Sequence, residues 1–264
     1  MKITFAFSIP RPIRTIAVLA LILCSLSGTA VFAQDAVPTE ILQRTLFIKV
    51  GDEGGTAFKV DHNGKLYLVT ARHMVAGLPI SGATIQIWQS DKWVDYKTVK
   101  TLFPVSDDVD IAVLETDEKV PQPFQIQMAP RNTGGVTFGQ QVWFLGYPYG
   151  LGSHLIGPQH GSWAEFPFIK RGTMSAIDSS NPNAIVLYID GFNNPGFSGG
   201  PIVYWDFSGR VYEVLGVVKG YKEDTAKVIV NGKHVDTKLL VNSGILVGYS
   251  ILHAIDAMDA EQKP

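Results

Sequence analysis

Cysteine is almost absent from this sequence. Cys24 is the single cysteine among 264 residues, and it lies in an apolar segment close to the N-terminus. It could mark a lipoprotein signal, but Leu23 before it is larger than the small residue that such signals usually carry. One thiol cannot form a disulfide within the chain, so the fold must depend on a hydrophobic core.

Long runs of like charge are also absent. The formal net charge is −2, with 22 Lys and Arg residues against 24 Asp and Glu residues. The longest basic run is Lys170-Arg171, whereas proteins that bind nucleic acids usually concentrate more positive charge on one surface. The composition therefore indicates no nucleic-acid partner.

Only one long apolar stretch occurs. It runs from Ile16 to Phe32, follows three cations and ends at the small residue Ala33. This pattern is typical of a secretory signal, so we predict a signal peptide over residues 1–33 with cleavage after Ala33. An uncleaved membrane anchor is the alternative, because the run is nearly long enough to span a bilayer. With cleavage, we expect an exported bacterial protein of the periplasm or extracellular space, without stable membrane insertion.

The rest of the sequence is a series of short strand patterns separated by turn signals. Asn63-Gly64 and Asn231-Gly232 are typical of tight turns between paired strands. One helix is predicted, from Ile251 to about Gln262. Many strands and a single terminal helix indicate an all-β barrel or sandwich. Strands are predicted over residues 46–50, 56–60, 66–70, 84–88, 93–99, 111–114, 142–145, 185–189, 202–205, 211–218, 227–230 and 234–240.

The segment with the clearest chemical pattern is Gly196-Phe197-Ser198-Gly199-Gly200-Pro201. A serine hydroxyl becomes nucleophilic when a base removes its proton, and the resulting oxyanion needs hydrogen-bond donors already in place. Gly196 allows the backbone to turn so that the N–H groups of Gly196 and Ser198 converge. The glycines that follow leave the hydroxyl uncrowded. An ordinary Gly-Ser turn is the alternative interpretation.

A base and a carboxylate occur at positions that suit such a serine. His73 follows the apolar strand pattern Tyr67-Leu68-Val69, and a catalytic imidazole needs one nitrogen facing the serine and the other held by a carboxylate. Asp110 enters the apolar run Ile111–Leu114, where a buried acid needs hydrogen-bond donors such as a histidine N–H. Three other acids compete for the role but resemble solvated charges, namely Asp107, Asp108 and Glu115.

Together these motifs resemble the trypsin/chymotrypsin superfamily, with its His…Asp…Ser order, and particularly the HtrA/Deg-type bacterial proteases. The resemblance covers roughly residues 40–255. Further segments that resemble the family are Gly55-Thr56-Ala57-Phe58, Gly146-Tyr147-Pro148-Tyr149-Gly150-Leu151-Gly152, Gly172-Thr173-Met174-Ser175-Ala176 and Asp190 through Ser198.

The resemblance implies a fold of two six-stranded antiparallel β-barrels with a C-terminal helix. We expect one barrel over residues 34–130 with His73 and Asp110, and a second over 131–250 with Ser198, followed by a helix and tail over 251–264. A segment rich in chain breakers, residues 129–136, lies at this boundary.

The implied activity is that of a serine endopeptidase with a polypeptide substrate and no metal or organic cofactor. His73, Asp110 and Ser198 are the expected catalytic residues, and the N–H groups of Gly196 and Ser198 the expected oxyanion hole. The resemblance leaves an oligomer open.

The substrate pocket is expected to include Phe192 at its base and Val218, Lys219, Gly220 and Tyr221 in its wall. No acidic residue is expected at the base, so small or apolar substrate residues are favoured over Lys or Arg. Lys219 stands where the family usually has a small residue. It either points into the pocket or extends along the surface with its ammonium group in water.

The sequence also departs from the family. Phe197 replaces the aspartate that pairs with a new N-terminus in digestive proteases, so activation by that route is not expected. No segment long enough for a PDZ domain follows Ile251. Residues 153–171 are predicted to be a long surface loop. His154 and His160 within it could suggest a metal, but no cysteine or acidic cluster completes a site in the sequence.

Two other functions remain open at this point. Gly-x-Ser-x-Gly also fits the nucleophile turn of α/β-hydrolase esterases, whose order would require Ser198, Asp236 and His253 and a helix after the serine. The sequence after Ser198 instead has a strand pattern. The second alternative is a protease-like barrel that binds polypeptides without cleaving them.

Overall fold

The computed structural model describes residues 36–119, 127–128, 135–156 and 163–262. Both sheets described below belong to one compact unit, Val37–Pro264. The predicted signal peptide, the predicted boundary at residue 130 and His160 lie outside the described residues, so these stay predictions. Among the residues described, no helix has the length and apolar character that would let it cross a membrane.

The first sheet has the strand order β5-β4-β1-β2-β3-β7-β6 with antiparallel pairing throughout. The tight turn predicted at Asn63-Gly64 connects β2 to β3, and both of its residues have positive φ. The strands are β1 (Thr45–Val50), β2 (Glu53–His62), β3 (Lys65–Thr70), β4 (Thr84–Gln89), β5 (Lys92–Lys97), β6 (Lys100–Leu102) and β7 (Ala112–Lys119).

This sheet closes into a barrel because β5 and β6 are two halves of one bent strand. The ladder between β4 and β5 continues past both strands, with Thr98 N–H donating to Ala83 O (2.8 Å) and Gly82 N–H to Val99 O (3.0 Å). Beyond the bend, β6 pairs with β7. The first barrel therefore has six strands when the bent strand is counted once, as the resemblance predicted.

The second sheet also closes into a barrel, here by direct pairing of its two end strands. Its strands follow the order β14-β9-β12-β13-β16-β15, and pairing of β14 with β15 completes a ring of six. The two-residue strand β8 pairs with β15 in parallel, outside the ring. The strands are β8 (Gln127–Met128), β9 (Gln141–Gly146), β10 (Ser153–Ile156), β11 (Trp163–Phe166), β12 (Phe168–Asp178), β13 (Val186–Asp190), β14 (Pro201–Asp206), β15 (Val211–Val230) and β16 (Lys233–Ser250).

The hairpin predicted around Asn231-Gly232 is confirmed and is much longer than the sequence pattern indicated. Strands β15 and β16 have 20 and 18 residues and pair from Gly216–Ser250 at the barrel to Val230–Lys233 at the tip. Both turn residues have positive φ, as a tight turn between twisted strands requires. The outer half of the hairpin is exposed on both faces, so alternation of apolar and polar residues could not reveal its length.

The prediction of a surface loop over residues 153–171 is wrong. Strands β10 and β11 pair as a separate two-stranded hairpin, and β12 already begins at Phe168. His154 lies directly opposite Glu165 in this hairpin. The strands have four residues each, too few for the period-two pattern to stand out from a polar loop.

Within the described ranges, two α-helices complete the fold. The terminal helix α2 (Leu252–Glu261) confirms the prediction, with Ile255 and Met258 buried against the strands. The short helix α1 (Thr39–Arg44) was not predicted. It has no side-chain cap, and burial of Ile41 holds it in place.

One hydrophobic cluster extends through both barrels and includes Phe58 and Val69 from the first and Phe144 and Ile202 from the second. Phe197 belongs to this cluster, is fully buried and packs edge-on against Phe144 with ring centroids 5.1 Å apart. The side chain next to Ser198 therefore anchors the candidate nucleophile in the core.

Candidate active site

His73 lies in a 3₁₀ turn, Arg72–Val75, that follows β3. Burial of Met74 and Val75 fixes this turn against the first barrel, while the side chain of His73 remains 45% exposed. The imidazole is therefore rigidly placed at a strand end yet open to solvent.

Asp110 holds His73 through two hydrogen bonds. One carboxylate oxygen accepts from the backbone N–H of His73 (2.9 Å), and the other lies 2.7 Å from the ring Nδ1. Val109 and Ile111, both fully buried, fix Asp110 on each side. A carboxylate in this position makes Nδ1 the donor, so Nε2 keeps the lone pair that can accept a proton.

The same contacts shift both pKa values. The hydrogen bond to Asp110 raises the pKa of His73 above its ordinary value of 6.5. Burial alone would raise the pKa of Asp110, but its hydrogen bonds with His73 outweigh burial and lower it.

The three acids that compete with Asp110 in the sequence have other surroundings. Asp107 pairs with Arg72, Asp108 is exposed, and Glu115 pairs with Lys65.

Glycine is required at two positions around Ser198. Gly196 has a φ of +103°, and a Cβ there would lie 2.2 Å from the carbonyl oxygen of Tyr147. Gly199 has a φ of +82°, and its Cβ would lie 2.2 Å from the carbonyl oxygen of Thr56. Any larger residue would force the segment away from the strands that support it.

Thr56, in β2, joins the serine segment to the first barrel. Its N–H donates to Ser198 O (2.9 Å), and its hydroxyl donates to Gly196 O (2.7 Å). The hydroxyl also accepts from Tyr147 N–H (3.2 Å). Thr70, three residues before His73, donates its own hydroxyl to Thr56 O (2.7 Å). One fully buried threonine thus places the serine segment beside the strand that leads to the histidine.

The two predicted oxyanion donors are the backbone N–H groups on either side of Phe197. Within the described parts of the chain, neither Gly196 N–H nor Ser198 N–H donates to a protein acceptor. The hydroxyl of Ser198 donates to Lys219 O (3.2 Å), and among the described residues no hydrogen bond joins it to His73. In the described part of the chain, two backbone donors next to Ser198 thus lack a protein acceptor, and the serine hydroxyl is bonded to Lys219 O.

A cleft of about 940 Å³ opens beside the histidine. Lys219, Gly220 and Tyr221 line it together with His73 and Asp110. Val218 is fully buried and pairs its backbone with Gly199 and Gly200, so it lies behind the wall rather than in it.

Lys219 occupies a β-bulge in β15, because Val218 and Gly220 face consecutive residues of β16. Its Nζ lies 5.7 Å from the centroid of the Tyr249 ring. The hydrogen bond to Asp110 keeps the pKa of His73 raised, and the positive charge of Lys219 only reduces that rise. The same charge adds to the lowering of the pKa of Asp110 by His73. The side chain therefore extends within the cleft, close enough to the His73–Asp110 pair to act on it electrostatically.

Phe192 does not line this cleft. Its ring is 56% exposed and lies 5.6 Å from the Nζ of Lys170. The same Nζ donates to Phe192 O (2.8 Å) and to Asn194 Oδ1 (2.5 Å). Lys170 thus fixes the backbone that leads to Gly196, a contribution that the sequence did not reveal.

The esterase alternative is contradicted by the fold. Strand β14 follows Ser198 directly, where a nucleophile turn of that class requires a helix. His253 is buried and its Nε2 accepts from Ile185 N–H (2.8 Å), while Asp236 is exposed in the β15–β16 hairpin. Neither residue has the geometry of a triad partner.

A group of possible metal ligands lies apart from His73. In the described ranges, one set of side chains has the composition and spacing of metal ligands, namely Asp91, His154 and Glu165. His154 and Glu165 line a second cavity, next to the β10–β11 hairpin.

Residues 55–212 match the family model of the trypsin-like peptidase domain. The match covers more than half of the chain, which therefore belongs to this family and to the class of serine endopeptidases. No curated protein matches the sequence.

Several solved structures share the fold. The inactive form of the Rv3671c protease from M. tuberculosis is 18% identical, with a TM-score of 0.50 over 85% of this chain and 92% of that one. The HtrA-type protease AlgW with tripeptide is 20% identical, with a TM-score of 0.51 over 84% and 61%. The serine endoprotease from Yersinia pestis is 17% identical, with a TM-score of 0.52 over 85% and 67%. At these identities the likeness concerns the fold.

Proposed function

We propose that this chain hydrolyses peptide bonds through a triad of His73, Asp110 and Ser198. The observation that carries the proposal is the pair of hydrogen bonds that the Asp110 carboxylate accepts from the backbone N–H and the ring Nδ1–H of His73. They fix both the orientation and the tautomer of the imidazole, which is the function of the carboxylate in such a triad.

In the first step the Ser198 hydroxyl rotates from Lys219 O towards His73. Nε2 takes the hydroxyl proton while Oγ forms a bond to the substrate carbonyl carbon, and the carbonyl oxygen becomes an oxyanion. The free N–H groups of Gly196 and Ser198 donate to that oxyanion. His73 then gives its proton to the amine as the C–N bond breaks, leaving an acyl-enzyme.

Water completes the cycle by the same route. His73 takes a proton from the water molecule, whose oxygen attacks the acyl carbon, and returns a proton to Ser198 Oγ as the ester bond breaks. No metal or organic cofactor enters either half of the reaction.

We further propose a polypeptide substrate, as expected of the family. The cleft has charges of both signs, with Lys219 and Lys222 opposed by Glu223 and Asp224. The preference for small or apolar residues stays a prediction, which a cleavage profile on a peptide library would test. The N-terminal sequence pattern supports export to the periplasm or the extracellular space.

The experiment that tests the proposal is covalent labelling with a fluorophosphonate probe. We expect the parent protein to be labelled and Ser198→Ala to be unlabelled and to lose activity by several orders of magnitude. Ser180→Ala, which changes an exposed loop serine, is the matched control and should label normally.

One observation favours a second function, that of a binding protein that does not cleave. The Ser198 hydroxyl donates to Lys219 O rather than to His73. If that bond persisted in solution, the parent protein would resist the probe while still binding peptides, and the hydrolytic proposal would fail.

A further inference from the structure

Three side chains of the types that bind metal ions lie close together at a place outside the triad. Asp91 lies in the tight turn between β4 and β5, where Ser90 and Asp91 both have positive φ. His154 and Glu165 lie opposite each other in the β10–β11 hairpin. One potential ligand atom from each of Asp91, His154 and Glu165 lies within 4.8 Å of the other two.

An ion pair between His154 and Glu165 accounts for only part of this arrangement. His154 Nδ1 and Glu165 Oε1 are 3.7 Å apart, within ion-pair distance when the imidazole is protonated but too long for a hydrogen bond. The carboxylate of Asp91 approaches the same point from the other hairpin, so two negative groups face each other. A cation between them would turn that repulsion into attraction.

Glu165 is held in place as a ligand would be. The indole N–H of Trp88 donates to Glu165 Oε1 (2.8 Å), and the Glu165 side chain is only 15% exposed. Hydrogen bonds of this kind orient the carboxylates of metal sites and leave the remaining lone pairs directed at the ion.

The types of ligand select the ion. One imidazole and two carboxylates suit Zn²⁺, which takes nitrogen and oxygen ligands at about 2.0–2.2 Å in tetrahedral geometry. Such ligands stand about 3.3 Å apart, whereas the three ligand atoms lie within 4.8 Å of one another. The side chains therefore need to close by up to about 1.5 Å. Asp91 and His154 are exposed and free to do so. Ca²⁺ needs six to eight oxygen ligands and is disfavoured.

There is also space for a fourth ligand. A cavity of about 200 Å³ adjoins the cluster, and His154 and Glu165 form part of its lining. Its other walls are largely aromatic, with Phe47, Trp93 and Tyr147 among them. A water molecule bound to the ion would project into this cavity.

We propose that Asp91, His154 and Glu165 bind a zinc-type divalent cation that fastens the β10–β11 hairpin to the turn between β4 and β5. The site is independent of the proposed peptidase mechanism, since none of its residues lies in the cleft that contains His73. Its test therefore measures binding and not hydrolysis.

The experiment is a titration of the chelator-stripped protein with Zn²⁺, monitored by calorimetry and by competition with a zinc indicator. We expect one saturable site per chain and a rise in Tm when Zn²⁺ is in excess over the Kd, because the ion binds the folded state. Ca²⁺ at the same concentration should produce neither effect.

Variants separate this site from incidental histidine binding. His154→Gln and Asp91→Asn should each weaken Zn²⁺ binding by more than tenfold. Trp88→Phe keeps an aromatic ring but removes the supporting N–H together with part of the indole, and should weaken binding by about tenfold. His234→Gln changes an exposed histidine in the β15–β16 hairpin and should leave binding unchanged. Without metal, the His154→Gln and Asp91→Asn proteins should unfold at the same temperature as the parent protein.

Two results would overturn the proposal. One is the absence of a saturable Zn²⁺ site in the parent protein. The other is Zn²⁺ binding that survives His154→Gln and Asp91→Asn, because the ion would then be held elsewhere.

Discussion

Replacing Thr56 with valine tests the junction between the barrels. Valine has nearly the same shape as threonine but cannot hydrogen bond, and the site is fully buried. The change removes the donor to Gly196 O (2.7 Å) and the acceptor of Tyr147 N–H (3.2 Å). These two backbone groups would retain only their weak mutual contact of 3.4 Å.

The expected loss of stability follows from those two groups. A buried group left without a partner costs about 1–3 kcal/mol, so two such groups would cost about 2–6 kcal/mol. Because the two groups keep their mutual contact, the free energy of unfolding should fall by the lower part of that range, about 2–4 kcal/mol. In a domain of this size each kcal/mol lowers Tm by about 2–4 °C, which gives a decrease of roughly 4–16 °C. Thr56→Ser keeps the hydroxyl, loses one methyl group and should cost about 1 kcal/mol.

The catalytic effect has a separate cause. Gly196 O is the carbonyl of the residue whose N–H is the proposed oxyanion donor, so its release lets that donor move. Loss of a whole donor costs about 10²–10³ in kcat, and loss of its support should cost about tenfold to a hundredfold. KM should change less, because the cleft residues are untouched.

The assay is kcat and KM on a fluorogenic peptide, measured well below the Tm of each variant, together with thermal unfolding. Thr56→Ser should restore kcat to near the parent value. A valine variant that unfolds early but keeps its kcat within twofold would refute the role assigned to Thr56 in catalysis and leave it a purely structural residue.

Three further outcomes are expected at the triad. Asp110→Asn should lower kcat by about 10⁴, because the amide favours the wrong tautomer, whereas Asp107→Asn, which affects only an exposed pair with Arg72, should leave it unchanged. Activity needs the neutral imidazole and the pKa of His73 is raised, so activity should fall on acidification with a midpoint above 6.5; a midpoint below that value would contradict the Asp110 contact. Lys219→Gln removes a charge that disfavours protonated His73, so kcat/KM measured against pH should shift its acidic midpoint upwards, and an unshifted profile would place that charge elsewhere.

Local patterns in the sequence were sufficient to predict most strands and the contact between His73 and Asp110. Alternation of apolar residues and Asn-Gly turns are properties of a few neighbouring residues, so they survive without tertiary information. The pairing of Asp110 with His73 was inferred from its position next to a buried strand, where an acid needs a donor. The structure confirms that contact.

Features that depend on contacts between distant segments could not be predicted. The bulge that directs Lys219 into the cleft is defined by β16, about 30 residues further along the chain. The β10–β11 hairpin is joined to the β4–β5 hairpin by the hydrogen bond between Trp88 and Glu165. Thr56 likewise became a candidate only when Gly196 and Tyr147 were found beside it.

The continuous hydrophobic cluster has a consequence for cooperativity. Phe58 and Val69 from one barrel share a core with Phe144, Phe197 and residues of the other. Neither half alone can bury its share of this cluster, so separately expressed halves should aggregate or remain unfolded. A destabilising substitution far from Ser198 in either barrel would then disrupt the active site by unfolding the whole protein. The melting curve of the intact protein should show a single transition.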